Sequence, residues 1–171
     1  YTHVAGVVVE NGEAFVYDSQ NGVGVRKQTL AEYLAVTRPD GLHVLHPAEP
    51  FDAEGADDFR SHLESELGRP YAVTHHLTGR RCEGLHCAEY MTDSLAAAGL
   101  VKADQPPRVS PASLRTGLLR HGLYVESQIV SIGTGEPERA AGRNWCEEMW
   151  LDTKECCVSC WSGFRRCVLC R

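Results

Sequence analysis

The chain has 171 residues, 43% of them hydrophobic and 23% charged, with a formal net charge of -6 at pH 7. These values suit one soluble domain with a full hydrophobic core and a short appendage. They exclude a basic nucleic-acid surface as the main purpose, and the lack of any run of about 18 apolar residues excludes a transmembrane helix. The chain begins at Tyr1 rather than Met, as a fragment or processed form does, so any targeting segment would lie outside it and no compartment is assigned.

Val4 to Val9 is a β-branched run that reads as a strand. Asn11-Gly12 is a strong two-residue hairpin signal, since both positions tolerate positive φ, and Ala14 to Asp18 returns as the second strand. With Asn11 and Gly12 as the loop, Glu10 pairs with Glu13 and His3 lies opposite Gln20. Asp18 is then the diagonal neighbour of His3 on the same face, about 7–8 Å away and within reach of long side chains. The register nominates Asp18, or else Gln20, as the partner of His3, and a one-residue slip would undo it. Asn21 to Gly24 is a loop, and Thr29-Leu30-Ala31-Glu32 is a capping box opening a helix through about Val36. Pro39-Asp40-Gly41 is a turn, and Leu42 to Leu45 a short strand stopped by Pro47. From about Ala56 to Leu67, Phe59, Leu63 and Leu67 form an apolar helical stripe that ends at Gly68-Arg69-Pro70.

Tyr71 to Gly84 is a loop leading to Leu85-His86-Cys87-Ala88-Glu89-Tyr90-Met91, where a helix begins. Cys87, Met91, Leu95 and Ala98 lie on one helical face, and Gly99 stops the run. Ser110-Pro111 caps a further helix that closes at Gly122, and Leu123 to Ile132 is β-prone. A thiol on the first helical turn faces unpaired N–H groups and the positive end of the dipole, both of which favour the thiolate. The bland alternative is a small buried hydrophobe.

A cysteine nucleophile needs a base, and the base needs a group to orient its ring. The candidate bases are His3, His43, His46, His62, His75, His76, His86 and His121. His86 adjoins Cys87, but adjacent helical residues do not face each other. His75 and His76 sit in the approach loop, and His76 is better suited to contact substrate. His62 is expected at the surface of its helix, and His43 and His46 serve structure around a short strand. Only His3 has a carboxylate set beside it by hairpin geometry. Cys82 is the rival nucleophile, with Arg80 and Arg81 near enough to lower its pKa, but it lacks a helix start.

Thr2-His3-Val4-Ala5-Gly6-Val7-Val8-Val9, followed by a hairpin and Val16-Tyr17-Asp18, resembles the opening of circularly permuted NlpC-type cysteine peptidases of the papain-like superfamily, the YiiX-like branch above all. Gly68-Arg69-Pro70-Tyr71 is similar to that family's Gly-x-Pro-Tyr segment, and His86-Cys87-Ala88-Glu89-Tyr90 to its Cys-Ser-Glu helix start. The likeness covers about residues 1–120. It implies an α+β papain-like fold, an antiparallel sheet packed against helices, with the His strand first and the Cys helix last. It further implies Cys87 as nucleophile, His3 as base and Asp18 as orienter, with Tyr71 lining the substrate pocket; its bland role is a core aromatic. Asp18-Ser19 replaces the usual Glu-Ala, and Ala88 replaces the usual Ser. The implied activity is cleavage of an amide or peptide bond through a thioester, with no cofactor. A thiol acyltransferase or lipid hydrolase of the lecithin:retinol acyltransferase type, acting on a lipid-linked acyl group, is the alternative, and an inactive binding module is a third.

Residues 1–126 hold only Cys82 and Cys87, whereas Cys146, Cys156, Cys157, Cys160, Cys167 and Cys170 crowd the end of the chain. The shift divides a catalytic body, 1–125, from a Cys-rich extension, 126–171. Cys157, Cys160, Cys167 and Cys170 form two Cys-x-x-Cys knuckles suited to a structural zinc, although zinc ribbons commonly leave about 15–20 residues between knuckles. Disulfides and acylation at a membrane surface are the competing readings. Trp145, Trp150 and Trp161 in the same stretch fit packing on the body or on a protein partner.

Overall fold

Asn11 and Gly12 take positive φ, 52° and 85°, and the first hairpin turns on them. β1 (Gly6–Glu10) and β2 (Glu13–Gln20) pair antiparallel with Glu10 opposite Glu13 and Gly6 opposite Tyr17, the register expected from the turn. The protein is seen here in a computed structural model that describes residues 2–74, 81, 83–127 and 129–131. The chain divides into two units, Tyr1–Thr134 and Gly135–Arg171, and everything described lies in the first.

The architecture is α+β, with antiparallel sheets and helices. A second hairpin follows the first, and β3 (Gly24–Thr29) pairs with β2 so that Arg26 lies opposite Asp18. Sequence reading left β3 out, because Arg26-Lys27-Gln28-Thr29 shows no apolar alternation; its strand state comes from its partner. Gly24 has φ +92°, and a Cβ there would stand 2.3 Å from the Arg69 carbonyl oxygen, so the close approach of the Gly68-Arg69 segment requires glycine. Gly68 and Arg69 bond both ways with Val25 and join that segment to the sheet.

α1 (Leu30–Thr37) starts at Thr29 with the expected capping box. The expected strand Leu42–Leu45 is instead two short ones, β4 (Gly41–Leu42) and β5 (Leu45–Pro47). α2 (Ala53–Ser65) begins earlier than expected because Asp52 caps it, accepting the Gly55 N–H at 2.7 Å. Within the expected stripe Leu63 is buried, whereas Leu67 is exposed beyond the helix end. α3 (Cys87–Ala97) and α4 (Pro111–Arg120), the latter capped by Ser110, fall where the sequence places them. The β-prone stretch after Gly122 resolves into β6 (Tyr124–Glu126), paired with β5, and β7 (Val130–Ser131), paired with β4. β7 therefore belongs to a strand pair of the first unit, although it lies past residue 125.

The core gathers Tyr17 and Val25 from the sheet, Leu63 from α2, Tyr90, Met91 and Leu95 from α3, and Leu114 and Leu118 from α4. Tyr90 donates its hydroxyl to the Leu63 carbonyl at 2.7 Å, which ties α3 to α2 without leaving a buried donor unmet. At Gly6 a Cβ would come within 3.0 Å of the Met91 sulfur, so β1 runs close along α3. That closeness brings the residues just ahead of β1 to the start of α3. Among the described residues, no helix is long and apolar enough to cross a membrane.

Candidate active site

His3 precedes β1, Asp18 lies in β2 and Cys87 opens α3. The hairpin and the packing of β1 on α3 bring the three together. His3 Nε2 lies 3.1 Å from Asp18 Oδ2, so Asp18, and not Gln20, is its partner. That contact leaves Nδ1 as the ring nitrogen available to the sulfur, and His3 stands close enough to Cys87 to favour its thiolate. The backbone N–H of Val4 favours the thiolate as well.

Asp18 is 1% exposed and receives more than one donor. Arg26 Nε donates to Oδ1 at 2.7 Å and Nη2 to Oδ2 at 3.2 Å, while Nη2 also donates to Gln20 Oε1. Burial alone would push the carboxyl up, but the bonds from His3 and Arg26 outweigh it and hold Asp18 below the ordinary carboxylate value. Gln20, the alternative partner for His3, is engaged by Arg26.

The thiol and imidazole move in opposite directions. Burial opposes the Cys87 thiolate, but the neighbouring His3 ring first, and then His86, overcome it and lower the thiol to about 6. Burial likewise opposes the charged His3 ring, yet Asp18 and Cys87 raise it to about 9. Between those values the pair exists as thiolate and imidazolium, the reactive form of a nucleophilic cysteine.

Several further residues surround the segment that leads to Cys87. Ser19 is buried and donates to the Leu85 carbonyl at 2.7 Å. Leu85 also donates to the Pro70 carbonyl at 2.9 Å, and Ala72 N–H reaches the Leu85 carbonyl at 3.4 Å. Tyr71 is thereby set across from Leu85 on the strand-like segment that leads to Cys87, and it is half-buried. A Cβ on Gly84 would lie 2.6 Å from the Pro70 oxygen, so this pairing needs glycine there. Tyr33 of α1 is buried close enough to feel the charges of Asp18 and Cys87, and burial first, then Asp18, raises its pKa.

Sequence reasoning passed over Arg26, Ser19, His86 and Tyr33. Arg26 had a usable signal, because a three-residue loop at Asn21 to Val23 puts it directly across from Asp18 as an opposite-charge pair. His86 was set aside because adjacent helical residues diverge, but it stands at the cap of α3, where its backbone is extended (ψ 163°) and that rule does not apply. His62 is not a plain surface residue; its Nδ1 lies 3.1 Å from Ser94 Oγ of α3. His43 bonds Glu126 at 2.8 Å, a structural link from the β4–β5 connection to β6. His75, His76, Cys82 and all six cysteines of the tail, including Cys157, Cys160, Cys167 and Cys170, lie outside the described residues. Among the described residues, no group of three or more His, Cys, Asp or Glu is placed to hold a metal ion.

No protein-family model matches the chain, and neither the curated proteins nor the solved structures give a match.

Proposed function

We propose that the chain is a thiol hydrolase that cleaves an amide or peptide bond, with the permuted NlpC-type papain-like arrangement of its catalytic groups. The observation that carries this is the His3 ring, bonded to buried Asp18 at 3.1 Å and set beside the Cys87 thiol. The Cys87 thiolate attacks the substrate carbonyl carbon, and the oxyanion is met by the backbone N–H of Cys87 itself, which has no acceptor within the helix. His3 gives its proton to the leaving amine as the C–N bond breaks, which yields a thioester on Cys87. Water then attacks the thioester while His3 takes up its proton, releasing the acid and restoring the thiolate. Asp18 keeps the ring oriented and stabilises its charge throughout.

The test is iodoacetamide labelling at pH 7, followed by mass spectrometry on the peptide that carries Cys87. Wild-type Cys87 is expected to react at least tenfold faster than the same site in His3→Ala, on the general scale of a misplaced base. Equal rates in the two proteins would overturn the reading. Turnover of amide reporters that is lost in Cys87→Ser would complete the case.

A further inference from the structure

His86 immediately precedes the nucleophile, is buried, and has both ring nitrogens engaged. Nδ1 accepts the Glu89 backbone N–H at 3.3 Å and so caps α3, while Nε2 donates to the Pro107 carbonyl at 2.9 Å. Ser, Thr, Asp and Asn cap helices well and are the usual choices. Their side chains end too early to serve the cap and also cross to a second element. The imidazole does both, and it ties the first turn of α3 to the 3-10 turn Pro106–Arg108. The groups facing the ring are the Cys87 sulfur and the buried Glu89 carboxyl, whose Oε2 is 4.0 Å from Nε2, with the Pro107 carbonyl across from α3. Arg81, Asp93 and Arg69 act on Glu89 from further out.

We propose that His86 is a positioning residue for the nucleophile: it anchors the first turn of α3 to Pro107 and thereby fixes the Cys87 sulfur against His3. This rests on the reading of Cys87 and His3 as the reacting pair. The Pro107 bond holds whether the ring is neutral or charged, because Nε2 carries a proton in both forms. The cap holds in the neutral form alone, since Nδ1 must offer its lone pair to Glu89. Burial resists charging of the ring, and the Cys87 and Pro107 bonds draw its pKa upward against that resistance. The Pro107 anchor is the part of the device common to both charge states of the ring.

Two variants of the full chain separate anchor from cap. His86→Asn keeps a capping oxygen but is too short for Pro107, whereas the His86→Gln amide is long enough to accept from Glu89 and donate to Pro107. Thermal melting is followed alongside the pH dependence of iodoacetamide labelling at the Cys87 peptide. His86→Asn is expected to melt near wild type yet label about tenfold or more slowly at pH 7, the scale of a small misplacement of a reacting group. Its ionisation midpoint should lie above the wild-type value of about 6. His86→Gln should recover most of the rate. A wild-type rate and midpoint in His86→Asn would overturn the proposal, as would a folded His86→Gln that labels no faster than His86→Asn. Should His86→Asn fail to fold, the Gln variant decides alone: near-wild-type labelling supports the anchor, and a loss as large as that of His3→Ala overturns it. His3→Ala run in parallel isolates the underlying reading, because unchanged labelling there would sink the Cys87–His3 pair whatever His86 does.

Discussion

A thiol lowered to about 6 beside an imidazole raised to about 9 defines a pH window for chemistry at Cys87. The ion pair forms as the pH climbs through the lower value and dissolves as it climbs through the upper one, so turnover should follow a bell with limbs near those two values. The alkaline limb answers to the groups around His3. Asp18→Asn removes the first of the influences that raise His3, so the alkaline limb should fall towards the ordinary histidine value of 6.5. Replacing Arg26 by Gln acts with the opposite sign, because the carboxylate is then left to His3 alone and the alkaline limb should rise. That substitution also strips a buried carboxylate of two donor bonds and should lower stability by about 3–5 kcal/mol, read from denaturant unfolding. Asp18 is held below its ordinary value of 3.8, so its contribution to stability is complete above that pH and lost as the pH falls through the lower folded value. An Arg26→Gln protein with an unchanged alkaline limb would show that Arg26 does not act on His3 through Asp18.

At the scale of elements, the site is a meeting of three backbone segments, and glycine permits the close approach that leads into α3. Gly84 lies where the chain leading into α3 runs against Pro70 and Ala72, with a notional Cβ only 2.6 Å from backbone oxygen. Gly84→Ala should therefore displace Leu85 and the start of α3, lowering stability by about 1–3 kcal/mol and slowing Cys87 labelling. Gly12→Ala, at a turn where nothing lies within 4 Å, should lower stability through its φ of +85° and leave the labelling midpoint unchanged. The contrast matches what was legible in the sequence. The Asn11-Gly12 turn set the register that pairs His3 with Asp18, and Cys87 stands at a helix start marked by local spacing and Gly99. Those signals are local. β3 carries a polar sequence and is a strand because β2 and the Arg69 segment bind its two edges, so Arg26 stayed hidden with it. β4 and β5 are two and three residues long and owe their extended form to partners at the far end of the unit, β7 and β6. No window of sequence contains both halves of those pairs.

At the scale of the whole molecule, the first unit holds its own core and its own site. Every member of the buried cluster, from Tyr17 to Leu118, lies within it, as do both partners of each described strand pair. The thiol is lowered by His3, His86 and the Val4 N–H, all from the same unit. A chain ending at Thr134 should accordingly unfold in one cooperative transition and label at Cys87 with the full-length midpoint near 6. Loss of cooperative unfolding, or a midpoint returned towards the ordinary thiol value, would show that residues 135–171 complete the site. The same two proteins test the zinc proposed from the knuckle spacing of Cys157, Cys160, Cys167 and Cys170. Such a metal would appear in stoichiometric amount in the full chain and vanish on truncation, because among the described residues of the first unit no cluster is placed to hold it. Persistence of the metal in the shorter chain would assign it to residues other than those four cysteines.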